Sequence, residues 1–271
     1  MNISQDRVLP LEGVHNFRDY GGYAVAGGGR LRRGLLWRSG QHHGATDSDL
    51  AQIASLDLVT VYDLRSSKER NAEPCRRPNG FAAEIYFGED PAPRAGGVSA
   101  AHAAPHVAAA PVTRQRDAAS TREGLRRNYG AIAFRPELVV AMRRMLADLA
   151  EVEGPSLVNC MAGKDRTGIA VAAVHLAAGV HRDDIVADYL LTNTAGNVEA
   201  RIAAGMATIT AVTGQLDSEV LRILMGVEPE YLESAFAMMA EKHGSTDGYL
   251  RDVLGVDDVM KARLRAALVE D

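Results

Sequence analysis

The sequence predicts an α/β domain built on a central, mainly parallel sheet with helices on both faces. A β-branched run at 58–64 follows a helical stretch at 46–55. A second short apolar run, 157–158, lies between a helix that begins at Pro136 and a long segment of small apolar residues, 169–178. Buried strands that alternate with helices in this way are typical of parallel sheets.

Composition is that of an ordinary globular protein. The chain has 271 residues, of which 46% are hydrophobic and 24% charged, enough to bury a core. No internal repeat or convincing domain boundary is found, so residues 1–271 are expected to form a single domain. The net charge of −5 argues against nucleic acid as a general partner.

The first forty residues predict strands joined by a tight turn at the edge of the sheet. The triple glycine at 27–29 is typical of such a turn. Arg18 and Asp19 are expected to form a structural ion pair. Thr46 is the predicted N-cap of the following helix, with Asp49 near its first turn.

Composition changes abruptly over residues 89–123, which are rich in Ala, Pro and Gly and show no periodicity. A segment of this length is typical of a mobile insertion, either a disordered surface loop or a functional lid. Its arginines, with Arg126 and Arg127, would offer positive charge to a phosphorylated substrate. Short strands and helices account for the rest: a strand at 84–87, and helices at 136–149, 182–190, 198–213, 217–225, 229–242, 249–254 and 259–269.

The strongest signal lies where the strand at 157–158 meets the helix at 169–178. Cys160 and Arg166 have Cys-x5-Arg spacing, and the residues between them form what we call the signature loop (160–166). Its amides can turn inward above a helix N-terminus, which attracts anions. Helix dipole, amides and Arg166 all favour the thiolate form of Cys160. A tetrahedral dianion fits this cradle, with the thiolate in line for attack on phosphorus.

The sequence CMAGKDRTG at 160–168 resembles the phosphate-binding loop of cysteine-dependent protein tyrosine phosphatases, in particular a bacterial branch that also dephosphorylates phosphoinositides. NFRDYGGY at 16–23, WRSG at 37–40 and DLRS at 63–66 match that branch in the same order. The resemblance implies a protein tyrosine phosphatase-like fold with helical lid insertions, 193–226 being the candidate lid; ordinary core helices are the alternative there. It also implies phosphotyrosine substrates, with phosphoserine, phosphothreonine or phosphoinositides as further ones.

Each site residue has a predicted role. Cys160 is the nucleophile, which forms a phosphocysteine intermediate, and Arg166 holds the phosphate oxygens. Either Asp165 or Asp63 is the general acid; the structural alternatives are a loop-stabilising hydrogen bond for Asp165 and a salt bridge from Asp63 to Arg65 or Arg38. The predicted phosphate-binding residues are Met161, Ala162, Gly163, Lys164, Asp165, Arg166 and Thr167. Among them, Thr167 would stabilise the leaving thiolate and Lys164 would add a second cation at the rim, which favours polyphosphorylated substrates.

Two features bear on alternative functions. The resembled family usually has His before the nucleophile, whereas this chain has Asn159, which is expected to donate an amide hydrogen bond to the loop backbone and to leave a weaker thiolate. The alternative is a phosphate-binding pseudophosphatase. A nucleotide-binding Gly-rich loop is excluded, because its pattern needs Gly at position 158 and Ser or Thr after Lys164.

Cofactors and compartment follow from what else the sequence contains. No cofactor or metal is predicted, since His42 and His43 lack further ligands at suitable spacing. A disulfide between Cys75 and Cys160 would disable the nucleophile, so a reducing compartment is expected. Neither a signal peptide nor a membrane-spanning run is recognisable, which predicts a cytoplasmic protein without membrane insertion and leaves export without a signal open. The expected partner is a phosphorylated protein or phosphoinositide; the sequence does not determine the oligomeric state.

Overall fold

A computed structural model describes residues 6–88, 117–151, 154–199, 202 and 217–271. The strands of its main sheet are β1 (Arg18–Asp19), β3 (Leu36–Ser39), β4 (Thr60–Asp63), β5 (Glu84–Phe87) and β6 (Ser156–Asn159). Their order is β1-β3-β6-β4-β5, in which every neighbouring pair is parallel except β1 with β3. The predicted α/β class with a mainly parallel sheet is therefore confirmed.

Alternation along the central strands creates a core on each face of the sheet. Val61 and Leu157 belong to the core beneath the N-terminal segment, while Tyr62 and Val158 belong to the larger core on the other face. Successive strand residues point to opposite faces, so a strand that is buried on both sides is apolar throughout. This is why both runs read as continuous apolar stretches in the sequence.

The helices cover both faces of the sheet. They are α1 (Asp47–Ala54), α2 (Ser67–Ala72), α3 (Ala118–Ile132), α4 (Pro136–Leu149), α5 (Asp165–Ala178), α6 (Arg182–Leu190), α7 (Thr192–Ala195), α8 (Ser218–Met225), α9 (Pro229–His243), α10 (Thr246–Leu254) and α11 (Asp258–Leu268). Proline at the first position of α4 and α9 starts each helix as predicted, because its fixed φ suits that position and its missing N–H is not needed there.

Helix α5 is buried on nearly every side, as its small apolar residues predict. Eleven of its 14 residues are buried. Small side chains let neighbouring elements approach closely: a Cβ added to Gly168 would lie 3.1 Å from the ring of Tyr189 on α6. The helix that follows the signature loop is therefore fixed by packing along its whole length.

The predicted cap of α1 is confirmed and joins the helix to the N-terminal segment. Thr46 accepts a hydrogen bond from the amide of Asp49, whose carboxylate bonds back to the amide of Thr46 in a capping box. The same carboxylate accepts hydrogen bonds from the amides of Glu12 and Gly13, both at 2.8 Å. One buried side chain thus satisfies backbone donors on two separate segments.

The C-terminal end of the chain differs from the prediction. The last helix was expected to run to residue 269, but α11 ends at Leu268, and β7 (Val269–Glu270) pairs antiparallel with β2 (Arg30–Leu31). A two-residue strand is too short to show a periodicity. The glycine turn at 27–29 is present, since Ala24 and Arg30 bridge across it.

Two predicted lid segments are only partly within the described residues. Residues 89–116 of the predicted insertion lie outside them, and the prediction was wrong for 118–123, which form the first turns of α3 behind the N-cap Asp117. Most of the predicted helix 198–213 also lies outside. No helix among the described residues combines the length and apolar character that a membrane crossing requires.

We expect Asp49→Ala to lower the free energy of unfolding by about 2 kcal/mol, because it breaks the capping box and leaves three part-buried amides without their acceptor. Asp47→Ala is the matched control, since Asp47 lies in the same helical turn with its side chain 93% exposed. Urea unfolding should show a change below about 0.5 kcal/mol for the control. Equal losses in the two variants would contradict this account of Asp49.

Candidate active site

The signature loop connects the end of β6 to the start of α5. Cys160 follows β6 directly and is 2% exposed. The first hydrogen bond of α5 runs from the amide of Gly168 to the carbonyl of Lys164 at 2.8 Å. Lys164 occupies the N-cap position and its side chain does not cap the helix. The first-turn amides therefore lack the usual side-chain acceptor and are suited to an anionic ligand.

The backbone reverses at Gly163 and turns a carbonyl out of the loop. Gly163 has φ of +67°, and a Cβ there would lie 2.4 Å from the carbonyl oxygen of Ser39, so only glycine fits. Its carbonyl accepts hydrogen bonds from Asn16 Nδ2 at 2.7 Å and Arg38 Nη2 at 2.9 Å. In a trans peptide the C=O and N–H point in opposite directions, so the amide of Lys164 faces away from Asn16 and Arg38.

A buried cluster of two arginines and one carboxylate supports these donors. Asp188 accepts from Arg38 Nη1 at 2.7 Å and from Arg18 Nε at 3.2 Å, while Arg18 also donates to Asn16. Burial alone would raise the pKa of Asp188, but the two guanidinium groups hold it far below its usual range. Burial and the charge of Arg38 lower the pKa of Arg18 to about 10. The cluster carries two positive charges against one negative.

The predicted ion pair between Arg18 and Asp19 was wrong. Asp19 instead pairs with Arg33 Nε at 3.1 Å and accepts from the amides of Gly21 and Gly34. Neighbours in a strand point to opposite faces, so Arg18 reaches α6 while Asp19 reaches the loop before β3. The NFRD and WRSG stretches thus meet at the signature loop through Asn16, Arg18 and Arg38.

Arg166 is held by a glutamate that the sequence analysis did not identify. Its two terminal nitrogens donate to the two carboxylate oxygens of Glu69, each at 2.7 Å, and Nη1 also donates to the carbonyl of Leu64 at 3.0 Å. Glu69 is also the N3 residue of the Ser66 capping box on α2. The Ser-x-x-Glu spacing after DLR is readable as a capping box, although its bond to Arg166 is not.

Charges in this part of the site reinforce each other. Burial lowers the pKa of Arg166, but the hydrogen bond to Glu69 and the charges of Cys160 and Asp165 raise it above its ordinary value overall. Burial raises the pKa of Glu69, and the hydrogen bonds and charge from Arg166 outweigh this, so it stays below its ordinary value. Arg166 thus remains fully charged close to Cys160 and Asp165.

Asp63 and Asn159 are bound to each other beneath the loop. The Asp63 carboxylate is fully buried and accepts from Arg65 Nη2 at 2.6 Å, Arg65 Nε at 2.8 Å and Asn159 Nδ2 at 3.2 Å. The predicted salt bridge to Arg65 is therefore present, whereas Arg38 pairs elsewhere. Asn159 was expected to donate to the loop backbone; its amide reaches Asp63 instead, because the two residues lie side by side on paired strands.

Asp165 lies at the first position of α5 with its side chain 15% exposed. Its Oδ1 accepts a hydrogen bond from the hydroxyl of Tyr129 on α3 at 2.7 Å. Of the two predicted acids, Asp165 is the one that is partly accessible to solvent. The sequence contains no signal for Tyr129, which is 36 residues away and was outside every motif.

The ammonium group of Lys164 does not lie at an open rim. The residue is 1% exposed, and Nζ donates to the carbonyls of Leu224 at 2.6 Å and Gly226 at 3.0 Å. Carbonyls at the C-terminal end of a helix, here α8, attract a cation. This contact brings residues 217–226 of the predicted lid against the signature loop.

The hydroxyl of Thr167 lies just after the signature loop. Thr167 is fully buried, and its hydroxyl has no hydrogen-bond partner among the residues that the structure describes.

Neither cysteine is in a disulfide, and Cys75 and Cys160 are both free thiols. Within the part of the chain that the structure describes, no three His, Cys, Asp or Glu side chains are grouped as metal ligands would be.

The chain is similar to known tyrosine phosphatases over most of its length. Residues 9–270 match the model of the tyrosine phosphatase family. The chain is 32% identical over 287 aligned positions to the triple specificity protein phosphatase PtpB of Mycobacterium tuberculosis, covering 97% of this chain and 99% of that protein. It is also 32% identical over 255 positions to a Cupriavidus necator protein named as a tyrosine-protein phosphatase, with 92% and 85% covered.

We expect Asp188→Asn to destabilise the protein by about 3–5 kcal/mol at neutral pH, because it leaves two buried arginines without a counter-charge. The lowered pKa of Asp188 contributes stability that is present above about pH 4 and lost as the pH falls below it. The variant should therefore show a shallower loss of stability in acid.

Thermal unfolding between pH 2 and 7 measures both effects. Asp183→Asn, on the same helix with its side chain 90% exposed, is the control and should match the unsubstituted protein. If Asp188→Asn and the control lost stability equally steeply at acid pH, the proposed charge balance around Asp188 would be contradicted.

Proposed function

The chain belongs to the tyrosine phosphatase family, and on that premise we propose that it hydrolyses phosphomonoesters through a phosphocysteine intermediate on Cys160. That it is a protein tyrosine phosphatase-like enzyme follows from the family itself. The observation that carries the proposed mechanism is the Cys160 loop, which lies on an uncapped helix start beside the fixed guanidinium of Arg166.

In the first step, the Cys160 sulfur attacks phosphorus and the bond from phosphorus to the ester oxygen breaks. Backbone amides of residues 161–166 and the Arg166 guanidinium bind the equatorial oxygens, where negative charge is concentrated in the transition state. Asp165 donates a proton to the leaving oxygen. These groups balance the charge of the dianion, so the mechanism requires no metal.

In the second step, water attacks the phosphocysteine and the sulfur–phosphorus bond breaks. Asp165, now ionised, takes a proton from the water as the oxygen–phosphorus bond forms. Cys160 leaves as a thiolate. Thr167 is proposed to donate its buried hydroxyl to this sulfur, which is supported by the absence of another partner for that hydroxyl among the described residues.

The contacts of the two carboxyls support Asp165 over Asp63 as the acid. The Asp63 carboxylate is fully buried and is bound on both oxygens by Arg65. With both oxygens bound and the side chain buried, this carboxylate is poorly placed to reach a substrate. Asp165 is partly exposed beside the loop.

For the substrate, we propose phosphotyrosine first. The relative from Mycobacterium tuberculosis is named a triple specificity phosphatase, which supports phosphoserine and phosphothreonine as further substrates. A phosphoinositide with a second phosphate would use Lys164, whose ammonium is bound by Leu224 and Gly226 and must be released first. The free thiols of Cys75 and Cys160 support a reducing compartment such as the cytoplasm.

The competing function is a phosphate-binding pseudophosphatase, favoured by Asn159 in place of the usual histidine. Turnover of para-nitrophenyl phosphate in EDTA separates the two. We expect turnover that is lost by at least about 10³-fold in Cys160→Ser, since the nucleophile is removed. Vanadate binding without turnover at any pH between about 5 and 8 would instead support the binding module.

We further expect Asp165→Asn to slow hydrolysis, and to slow it more for substrates with a more basic leaving group. An alkyl phosphate should lose about 10²-fold or more, and para-nitrophenyl phosphate much less, because a good leaving group departs without a proton. Asp63→Asn is the matched control. A leaving-group dependence in Asp63→Asn alone would assign the acid to Asp63.

A further inference from the structure

The partner of Asp165 is a tyrosine in the core. Tyr129 is fully buried on α3, and its hydroxyl donates to Asp165 Oδ1 at 2.7 Å. Its ring packs against those of Tyr189 on α6 and Tyr231 on α9, with centroids 6.0 and 5.6 Å away. Packing from two further helices therefore determines where the hydroxyl lies, independently of Asp165.

The hydroxyl is a permanent donor. Burial raises the pKa of Tyr129 well above its ordinary value of 10, and the charge of Asp165 adds to this effect. Tyr129 thus keeps its proton throughout the neutral range and does not itself transfer it. Its hydrogen bond acts on the direction in which Asp165 points.

We propose that Tyr129 is the positioning residue for the general acid, fixing Asp165 Oδ1 so that the proton is carried and delivered on Oδ2. This inference rests on the proposed role of Asp165. In a protonated carboxyl the carbonyl oxygen is the better acceptor, so a hydrogen bond to Oδ1 favours the proton on Oδ2 and restricts rotation about the χ angles. The fixed orientation removes the conformational freedom that would otherwise separate the acid from the leaving oxygen.

Lys164 and Gly168 surround the same pair. Lys164 Nζ is 3.8 Å from Asp165 Oδ1, on the side where the lysine is bound to the α8 carbonyls. On the next turn of α5, Gly168 admits the Tyr189 ring that packs on Tyr129. The Lys164 ammonium and the Tyr129 hydroxyl thus both lie at Oδ1.

The test is Tyr129→Phe, assayed with an alkyl phosphate and with para-nitrophenyl phosphate. The variant removes one oxygen atom and keeps the ring. We expect kcat to fall by about tenfold or more for the alkyl phosphate and by less than about threefold for para-nitrophenyl phosphate, with KM nearly unchanged. A merely structural role would lower kcat equally for the two substrates.

Tyr249→Phe is the matched control. The Tyr249 hydroxyl is also buried and donates to the carbonyl of Ala133, outside the signature loop, so its loss should show no leaving-group dependence. Thermal unfolding of both variants tests their fold. If Tyr129→Phe unfolds at assay temperature, the ratio of the two substrates is measured at lower temperature, where the same difference is required.

The double variant Tyr129→Phe, Asp165→Asn separates the positioning role of Tyr129 from the general-acid role of Asp165. Once Asp165 is an amide, the tyrosine should add no further leaving-group dependence. If Asp165→Asn shows the dependence and Tyr129→Phe does not, the positioning role is overturned and the acid stands. If Asp165→Asn shows none, the acid assignment itself fails. A Tyr129 effect that persists in the double variant also overturns the proposal.

Discussion

The hydrogen bonds at the Gly163 carbonyl are the constraint on which the site depends. Asn16 and Arg38 hold that carbonyl outside the loop, and the positive φ of Gly163 allows the reversal. If the carbonyl turned inward, its oxygen would point into the loop in place of an amide. Arg18 and Asp188 fix the two donors in turn, so motifs far apart in sequence act on a single peptide group.

Charge around the loop is arranged with a positive excess on one side. Arg166 is matched by Glu69, and Arg65 by Asp63, each through paired hydrogen bonds. The cluster beneath Gly163 has two guanidinium groups for one carboxylate. In a medium of low dielectric, such an excess favours a dianion above it more strongly than exposed charges would. The carboxylates near the loop therefore orient the cations without cancelling the positive excess.

The sequence was most informative where the signal is local, although the capping box from Ser66 to Glu69 was missed. The cap at Thr46, the prolines at 136 and 229, and the strand, loop and helix around Cys160 depend on residues close in the chain, and each was found. Contacts between residues far apart in the chain were not predicted. Asn159 and Arg18 were given the wrong partner, and Lys164 was wrongly placed at the rim. The fold alone brings these residues to Asp63, α6 and α8.

The long-range anchoring of the signature loop also has a consequence for synthesis of the protein. Asn16 and Gly163 are 147 positions apart, and Arg18 and Asp188 are 170 apart. At about 5–20 residues per second, the ribosome adds Asp188 roughly ten to thirty seconds after Arg18. During this interval the nascent chain carries both arginines without their carboxylate. A chain that is still short of α6 has Cys160 but lacks the carboxylate that fixes Arg18 and Arg38, so we expect the signature loop to reach its final geometry late in translation.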